Sequence, residues 1–536
     1  MNSPDERVLS RRDLLKQGAT GAVAVSAGSL LASCGGSSSG PKAVGTGAST
    51  AGTPKRGGTL RVGVVTNGNA ETIDVRKAIN TPDYLRTDNL YDPLFFQVVG
   101  GVEPGLATAA EPNTTASVWT LTLRPGVKWH DGKRFTADDV VYTVRSWNSA
   151  ESFFQPLASS IIDFNGVRKR GPLTVEIPLI KPVAEFPTIL SWYNGYVVQD
   201  GTKDFNKPIG TGPFRYQSFT PGSSSIFVAN PDYWRGQPYV DQLQVDSSYT
   251  DDPARLNALL SGSIDVAPGV PPTLAKANAS SGRLVLGNAP GPGFIAVTMR
   301  VNVPPFTDQR VLEAFRLLTY RQAFVTQVFD GYATPGNDCV GYTLKYWAAD
   351  IKPTYDPEKA KSLLKAAGLA RMNITLLTGA VVPGMVESAT LWAEQAAQIG
   401  VSVQLKQISP SQYYTTAAPG YATNQRPFSV NYWNVLPPSL AGFYLEALNA
   451  KAPFNETGWG LKPGQDTLFN EAVAEMNPGK AAEKWHAVQE QQATQGGYLI
   501  VANNNYLDAY GLNVHGIETT SAGNNNNYTY YKAWLA

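Results

Sequence analysis

The chain has 536 residues, which is too long for one compact core, so we expect two to four structural units. Hydrophobic residues make up 43% of it and charged residues only 16%, so uncharged polar side chains must supply much of the surface polarity. The formal net charge is +1 and no long basic run occurs beyond the N-terminus, which makes nucleic acids and acidic surfaces poor candidate partners.

The N-terminus has the pattern of an export signal. Residues 10–16 contain paired arginines, and they precede an apolar stretch at 18–31 that is too short and glycine-rich to be a stable membrane-spanning helix. The paired arginines resemble a twin-arginine signal. The next residues, "LASC", resemble the lipobox of a bacterial lipoprotein, whose cysteine is acylated and becomes the mature N-terminus. We therefore predict that residues 1–33 are a signal peptide and that Cys34 is lipidated.

Residues 34–56 are rich in Gly, Ser and Thr, a composition that cannot bury enough apolar area to fold, so a flexible linker is predicted. The second cysteine of the chain, Cys339, has no partner if Cys34 carries lipid, and no intrachain disulfide is expected. No later segment approaches eighteen consecutive apolar residues. The lipid is therefore the expected anchor, and it would hold an exported body on the outer face of the cytoplasmic membrane.

The folded part is predicted to open with a strand, Thr59–Val65, whose carboxyl end leads into Thr66 and Asn67. Ligands often bind at the carboxyl ends of strands in α/β sheets, so these two residues are candidate site residues. Further along, Val118–Leu123 alternates as a strand with one buried face, and residues 127–129 are predicted to run back beside it after a turn.

The stretch "WHDGKRFTADDVVYTV" at residues 129–144 places a histidine beside an aspartate, with two more carboxylates nearby. Catalysis at His130 would need an activated nucleophile, and the chain has no G-x-S-x-G, H-E-x-x-H or P-loop motif. Thr136 is predicted instead as the N-cap, and Asp138 and Asp139 as the acidic first turn, of an amphipathic helix. We therefore predict a framework element that does not touch a ligand.

After Pro304 the pattern shifts toward helices. One helical pattern is predicted to run up to Gly331, and another helix begins with Asp356 as its N-cap. A strand, a helix and a strand between residues 372 and 408 form a predicted β-α-β unit, and a last helix over about residues 480–495 precedes a strand. These elements predict a second α/β lobe.

Six blocks, in order along the chain, resemble one family. They are "GGTLRVG", "WTLTLRPGVKWHDGKRFTADDVVYTV", "IGTGPFRY" with "NPDYWRG", "LLSGSIDV", "PPFTDQRVLEAFR" with "VFDGYATP", and "YDPEKAKSLLKAAGL". The family is that of the extracellular solute-binding proteins of the peptide, nickel and opine class (family 5), which feed ABC importers. The resemblance spans essentially the whole mature chain.

The resemblance implies an α/β fold of the periplasmic-binding-protein type (class II-like), with two lobes, a hinge between them and an extra subdomain inserted in the first lobe. Carried onto this sequence, lobe I is residues 57–92, 203–295 and 505–536, the inserted subdomain is 93–202, and lobe II is 296–504. Closure of the lobes on a ligand excludes water, so polar groups in the cleft discriminate strongly.

The resemblance and the missing catalytic motifs together predict a non-enzymatic receptor. It would capture a small solute, such as a peptide, an opine or an oligosaccharide-like molecule, and deliver it to ABC permease subunits, acting as a monomer. A ligand-sensing receptor without transport and a hydrolase on the same scaffold are the alternatives. The three histidines are far apart and give no metal-ligand spacing, so neither a metal nor a cofactor is expected.

In the family's peptide binders, a Trp is followed closely by an Asp that pairs with the free amine of the ligand. Trp433 matches this Trp, but the residues that follow it are Asn434, Val435 and Leu436, with no Asp. A cationic amine in a closed cleft needs an anionic partner, so a neutral or polyhydroxylated ligand is expected.

Aromatic and amide residues that could line the cleft occur in three segments, at residues 192–194, at Tyr413 and Tyr414, and at 431–434. Aromatic faces with amide groups suit sugars and opine-like conjugates as well as peptide backbones, although each of these residues could equally pack in a core. The candidate ligand-binding residues are therefore Thr66, Asn67, Trp192, Tyr193, Asn431, Tyr432, Trp433 and Asn434.

Overall fold

A computed structural model describes residues 52–413, 426–434 and 437–536. The predicted signal peptide, Cys34, Tyr414, Val435 and Leu436 lie outside these residues, so what the sequence predicts for them stays a prediction. Within the described ranges, no helix combines the length and the apolar character needed to cross a membrane. Cys339 is buried, with a free thiol.

The described residues form nineteen strands, and the strand predicted to open the fold is the first of them. In chain order they are β1 (Thr59–Val65), β2 (Phe95–Val98), β3 (Gly101–Pro104), β4 (Ala107–Pro112), β5 (Val118–Leu123), β6 (Arg168–Gly171), β7 (Thr174–Pro178), β8 (Phe214–Phe219), β9 (Ser224–Ala229), β10 (Gln242–Tyr249), β11 (Val266–Pro268), β12 (Val285–Met299), β13 (Ala333–Pro335), β14 (Met372–Gly379), β15 (Val401–Ile408), β16 (Phe428–Trp433), β17 (Tyr498–Tyr510), β18 (Val514–His515) and β19 (Trp534–Leu535).

Helices connect and cover these strands. In chain order the α-helices of the described ranges are α1 (Thr81–Leu90), α2 (Ala137–Ser146), α3 (Gln155–Ser159), α4 (Phe186–Ile189), α5 (Asp252–Leu260), α6 (Pro272–Asn278), α7 (Gln309–Leu318), α8 (Arg321–Gln327), α9 (Pro357–Ala366), α10 (Met385–Ala397), α11 (Pro410–Tyr413), α12 (Leu440–Ala447), α13 (Thr467–Ala474), α14 (Pro478–Gln495) and α15 (Asn525–Tyr528). Several begin at a side-chain N-cap that accepts a hydrogen bond from the first turn, namely Asn80, Asp251, Asp308, Asp356, Ser439 and Asn477.

One sheet runs through both halves of the molecule. Its strands lie in the order β15-β14-β16-β12-β17-β11-β1-β10-β9-β8, and β13 also pairs with β17. The two longest strands, β12 and β17, pair antiparallel, with register shifts between Pro290 and Phe294 and between Ile295 and Ala296. The lobe boundaries predicted after residues 295 and 504 fall inside these two strands. The pair β12–β17 therefore carries the chain between the two halves.

Residues 93–202 contain a separate four-stranded antiparallel sheet in the order β4-β5-β7-β6. Its hydrophobic core is continuous with the core of residues 296–504, whereas β1, β10 and α1 belong to another core. Where residues 93–202 meet residues 296–504, the Ala184 amide donates to the Val473 carbonyl at 2.8 Å, and Lys345 Nζ lies 3.3 Å from a Glu185 oxygen. The inserted segment and the second half of the chain are thus in direct contact.

The histidine and carboxylates of the stretch at 129–144 point in different directions. His130 Nδ1 accepts from the Gly210 amide at 3.2 Å and Nε2 lies 3.0 Å from the Gly212 carbonyl oxygen, so the ring joins two loops. Burial lowers the pKa of His130 to about 4, which keeps the ring neutral. Asp131 faces Lys133 and Gln199 instead. These contacts agree with the framework role that the sequence predicts.

Asp139 is the centre of this framework. One of its oxygens accepts from the Thr136 amide at 2.7 Å and from the Trp129 indole at 3.3 Å, and the other accepts from the Asp200 amide at 2.8 Å. Thr136 is the N-cap of α2, as predicted, and its hydroxyl also donates to Asp139. The buried carboxylate therefore ties the start of α2 to two other segments.

Two predicted elements are wrong in detail. Residues 127–129 do not form a strand, because Trp129 bonds locally to the Lys133 carbonyl and a single bridge joins Lys128 to Arg134. The helical pattern before Gly331 is broken into α7 and α8, because side chains of α10 hold the two residues between them. Trp392 donates to the Thr319 hydroxyl at 3.0 Å, and Gln395 accepts from the Tyr320 amide at 2.8 Å.

The adjacent aspartates of α2 provide a matched test of this framework. We expect Asp139→Asn to lower the free energy of unfolding by about 1–3 kcal/mol, because the new amide group faces backbone donors that lose their acceptor. Asp138 is exposed and pairs with Lys169 at the surface, so Asp138→Asn should cost less than about 1 kcal/mol. Urea unfolding measures both, and equal losses would contradict the assignment.

Candidate ligand-binding site

Glu456 is a buried carboxylate that binds two of the predicted site residues. Trp433 donates its indole N–H to Glu456 Oε1 at 3.1 Å, and Asn431 donates its amide N–H to Oε2. Tyr498 adds a third donor, at 2.6 Å from Oε1. Burial raises the pKa of Glu456 to about 7, although the bonds from Tyr498 and Trp433 act in the opposite direction. The side chains of β16 are therefore held by a polar group inside the protein.

The remaining groups of Asn431 are also occupied. Its oxygen accepts from the Tyr413 hydroxyl at 2.8 Å and from the Tyr432 amide at 2.9 Å, and Asn431 is buried. Arg426 lies over the Tyr413 ring at 4.1 Å and donates to the Tyr413 carbonyl. Asn431 and Tyr413 thus fix the position of β16 through buried hydrogen bonds. Tyr432 and Trp433 are half-buried and Asn434 is exposed, so these three are better placed to contact a ligand.

The three central strands align a row of side chains on one face of the sheet. Trp433 on β16 lies opposite Phe294 on β12, and Phe294 lies opposite Asn503 on β17. Directly opposed residues point to the same face, so Asn503 shares the face of Trp433. Helix α12 covers this face, because Phe443 packs edge-on against both Trp433, at 4.8 Å, and Phe294, at 6.0 Å.

Asn503 has no hydrogen-bond partner for either end of its amide among the described residues, although only 1% of its surface is exposed. Leaving a buried polar group unpaired costs about 1–3 kcal/mol. Such a residue is uncommon in a folded protein, so Asn503 is a candidate contact for a water molecule or a ligand.

Glu446, in the last turn of α12, is a second unpaired polar group. It is 7% exposed, and within the described part of the chain its carboxylate has neither a hydrogen bond nor an ion pair. Burial raises its pKa to about 8. Burial above all raises the pKa of the Tyr84 phenol on α1, and the charges of Asp83, Asp88, Glu446 and Tyr432 act in the same direction.

The aromatic residues of the inserted segment pack against α1. Tyr193 stacks on Tyr84 with ring centroids 4.6 Å apart, and Trp192 packs beside Tyr193 at 5.4 Å. Asn194 is turned away, because its amide donates to the Val75 and Ala78 carbonyls. Trp192 and Tyr193 thus pack beside Tyr84 of α1, and their contact with a ligand stays a prediction.

Thr66 and Asn67 lie elsewhere in the contact network. The Thr66 hydroxyl and the Asn67 amide both bond to Glu71, at 3.2 and 3.0 Å, and Glu71 in turn pairs with the buried Arg86 at 2.7 Å. These bonds close the turn after β1. A ligand contact of Thr66 or Asn67 stays a prediction, and none of their hydrogen bonds reaches the aromatic residues described above.

A cavity of about 450 Å³ includes Tyr193 in its wall and otherwise involves residues away from β16 and α12. Its walls come from residues 88–103, 191–196, 235 and 516–532, so the predicted second lobe contributes nothing to it. Among the described residues, no three His, Cys, Asp or Glu side chains form a group that could hold a metal ion.

Sequence reasoning missed four residues of the site: Tyr84, Glu446, Glu456 and Asn503. Glu446 and Glu456 follow Trp433 by 13 and 23 residues, too far for a local motif to join them. Three consecutive Asn residues, 503–505, interrupt a strand that is otherwise rich in apolar residues. This pattern could have marked a site residue, because amides buried in a central strand need hydrogen-bond partners.

A hinged pair of α/β halves with a polar and aromatic region between them defines a two-lobed binding protein. Residues 101–452, about two thirds of the chain, match the family described as "Bacterial extracellular solute-binding proteins, family 5 Middle". The chain belongs to this family, which confirms the resemblance inferred from the sequence and the prediction of a solute-binding protein.

Individual relatives agree with this assignment. The chain is 28% identical over 464 residues to the dipeptide-binding protein of Escherichia coli K12, a match that covers 80% of this chain and 86% of that protein. The solved structure of the ABC transporter-associated periplasmic binding protein DppA from Helicobacter pylori, in complex with peptide STSA, aligns with a TM-score of 0.75 and 21% identity, over 90% of this chain and 98% of that one. AgaA from A. tumefaciens R10, in complex with agropinic acid, aligns with a TM-score of 0.74 and 20% identity, over 89% and 99%. The predicted fold class is confirmed.

The importance of the Glu456 network can be tested by mutation. Glu456→Ala leaves the donors of Asn431, Trp433 and Tyr498 unpaired, so we expect it to lower the free energy of unfolding by about 2–4 kcal/mol. Glu483 is exposed on α14, and Glu483→Ala should change stability by less than about 0.5 kcal/mol. Comparable urea midpoints for the two variants would show that the network does not hold β16.

The raised pKa of Glu446 predicts a pH dependence. Between the ordinary value of 4.5 and about 8, the folded protein keeps a proton on Glu446 that the unfolded chain has lost. The contribution to stability is therefore fully present below pH 4.5 and is lost as the pH rises through about 8. In urea unfolding, Glu446→Gln should reduce the fall in the free energy of unfolding between pH 5 and 8. Glu387→Gln, on the exposed face of α10, should show the same fall as the wild type. An unchanged slope in Glu446→Gln would refute the prediction.

Proposed function

We propose that this chain is the lipid-anchored, non-enzymatic receptor of an ABC importer, which encloses a short peptide or an opine-like conjugate between its lobes and passes it to the permease. The observation that carries the proposal is the row of Trp433, Phe294 and Asn503 across the three central strands, in which the buried Asn503 amide has no partner among the described residues. Relatives whose names specify dipeptides, and a structural neighbour that holds agropinic acid, support this class of solute.

The proposed division into lobes explains how the protein would work. With lobe I at residues 57–92, 203–295 and 505–536, the inserted subdomain at 93–202 and lobe II at 296–504, rotation would occur where β12 and β17 cross between lobes. Register shifts between Pro290 and Ala296 interrupt the ladder there, and a locally weakened ladder bends more easily than a regular one. Closure would then bring α12 of lobe II toward α1 of lobe I.

The solute-binding proposal is tested by native mass spectrometry of the wild-type protein purified from its own cells. We expect one or a few small solutes that leave on unfolding and bind again to the refolded protein with unchanged mass. Recovery of a chemically altered solute after incubation would contradict the non-enzymatic role. Loss of solute uptake on deletion of the permease subunits would be expected for import and would not occur for a sensor that acts without transport.

The lipid anchor is tested at Cys34. Wild-type protein should partition into the detergent phase of a phase-separating detergent extract, whereas Cys34→Ala should stay in the aqueous phase because it lacks the acyl chains. Cys339→Ser is the matched control, since it alters the other cysteine and should leave partitioning unchanged. Wild-type protein that partitions like Cys34→Ala would disprove the anchor.

A further inference from the structure

The cavity of about 450 Å³ described above has two side-chain oxygens in its wall residues that no other group uses. Asp88 is only 3% exposed, and the Tyr196 hydroxyl donates to its Oδ1 at 2.7 Å, while its Oδ2 has no partner among the described residues. Asn527 donates through Nδ2 to the Gln97 carbonyl at 2.9 Å, and its Oδ1 is buried and likewise without a partner in the described ranges. Because only the nitrogen of an amide can donate, the bond to Gln97 fixes which end carries the free oxygen.

Hydrogen bonds of neighbouring residues hold these two groups in one wall. Asn89, which follows Asp88 on α1, donates to the Tyr528 carbonyl at 2.7 Å and accepts from the Tyr530 amide at 3.1 Å. The end of α1 is thereby bonded to the chain immediately after Asn527. The helix that carries Asp88 and the segment that carries Asn527 consequently form one side of the same cavity.

Aromatic rings in the cavity walls already accommodate a cation. The Arg235 guanidinium lies 4.3 Å from the centre of the Phe96 ring and 5.3 Å from that of Tyr531, and it pairs with Glu103 at 2.6 Å. Lys532, the other cation of the walls, is exposed and lies 5.6 Å from the centre of the Tyr531 ring. Aromatic faces attract positive charge, and neither cation forms an ion pair with Asp88 in the described part of the chain.

The chemistry of the two free oxygens limits what can occupy the cavity. Burial raises the pKa of Asp88 well above its usual value, so the carboxyl group keeps its proton when no cation is near. A cation with N–H groups can replace that proton, and it can also donate to Asn527 Oδ1, which can only accept. A neutral amide offers the donor without the charge that aromatic walls favour.

We propose that this cavity is a second binding site, apart from the region between the lobes, for a small organic cation whose N–H groups donate to Asp88 and Asn527. Its volume lies within the range of about 300–1,000 Å³ that is usual for small-molecule pockets. In the proposed division its walls belong to lobe I and the inserted subdomain, so closure of lobe II does not enclose its occupant. The occupant therefore acts as an effector and not as the transported solute, and the inference does not depend on the proposed function.

Two organic cations and their uncharged counterparts test this site. Calorimetry on the wild-type protein as purified compares benzamidine with benzamide, and tyramine with N-acetyltyramine. We expect at least one of the cations to bind with a stoichiometry of one. Its uncharged counterpart should bind more weakly by about tenfold or more, because it cannot pair with the Asp88 carboxylate.

Asp88→Asn is the main variant, because it keeps the shape and the acceptor for Tyr196 but cannot ionise. Its thermal midpoint should stay close to that of the wild type, since the carboxyl group it replaces is already neutral, while affinity for the cation should fall by about tenfold or more. Asn527→Gly is the second variant, because Asn527 has a φ of 53°, which glycine adopts without strain. It should also weaken binding, and Glu387→Gln on α10 should bind as the wild type does.

Three results would overturn the inference. The first is that neither cation binds, and the second is that a cation and its uncharged counterpart bind equally. The third is affinity that is undiminished in both Asp88→Asn and Asn527→Gly. If that affinity were instead lost in Trp433→Ala, the cation would be bound in the candidate site between the lobes, which would leave the proposed function intact.

Discussion

The antiparallel pairing of β12 and β17 is the constraint on which the rest of the structure depends. Hydrogen bonds between the two strands extend from Val285 and Tyr510 in one half of the molecule to Thr298 and Tyr498 in the other. Because both halves attach their remaining strands to this pair, the sheet is continuous across the two halves. The same pair carries Phe294 and Asn503, so the crossing between the halves and part of the candidate site are built from the same two strands.

The polar groups of the site fall into two kinds with different energetic consequences. Glu456 is buried but receives donors from Asn431, Trp433 and Tyr498, and these bonds fix the side chains of β16. Glu446 and Asn503 are buried without such compensation in the described part of the chain. A fully hydrogen-bonded network stabilises the folded protein by itself. Unpaired groups lower that stability, and the cost is offset only when a ligand supplies hydrogen bonds to them. The first kind positions the site, and the second kind is available for selecting the solute.

Much of the fold could be predicted because the signals are local. The N-cap Asp356, the amphipathic helix after Thr136 and the β-α-β unit at residues 372–408 depend on neighbouring residues, and all three are confirmed. Failures occurred where contacts distant in sequence decide the outcome. Thr319 and Tyr320 leave the helical conformation because Trp392 and Gln395, more than seventy residues away, hold them.

Prediction from local sequence signals was even more limited for the candidate site than for the fold. Aromatic segments at 192–193 and 432–433 were recognisable by composition, and the first of them packs against Tyr84 of α1. Nothing local marks Glu446 as a cleft residue, since it is the acidic member of a helix whose other residues are apolar and buried. Its significance comes from burial without a hydrogen-bond or ion-pair partner among the described residues, which only the folded structure shows. The absence of Asp after Trp433 was correctly read from the sequence, but no local motif reaches the buried Glu446 and Glu456, which follow Trp433 by 13 and 23 residues.

Hydrogen–deuterium exchange of the wild-type protein, with and without the solute that co-purifies with it, tests the central claim most directly. If the solute is enclosed between the lobes, exchange should slow together in β16, in α12 around Glu446, in α1 around Tyr84 and in β17 around Asn503, because closure protects all four elements at once. Protection confined to the walls of the cavity of about 450 Å³ formed by residues 88–103 and 516–532, with α12 unchanged, would contradict it.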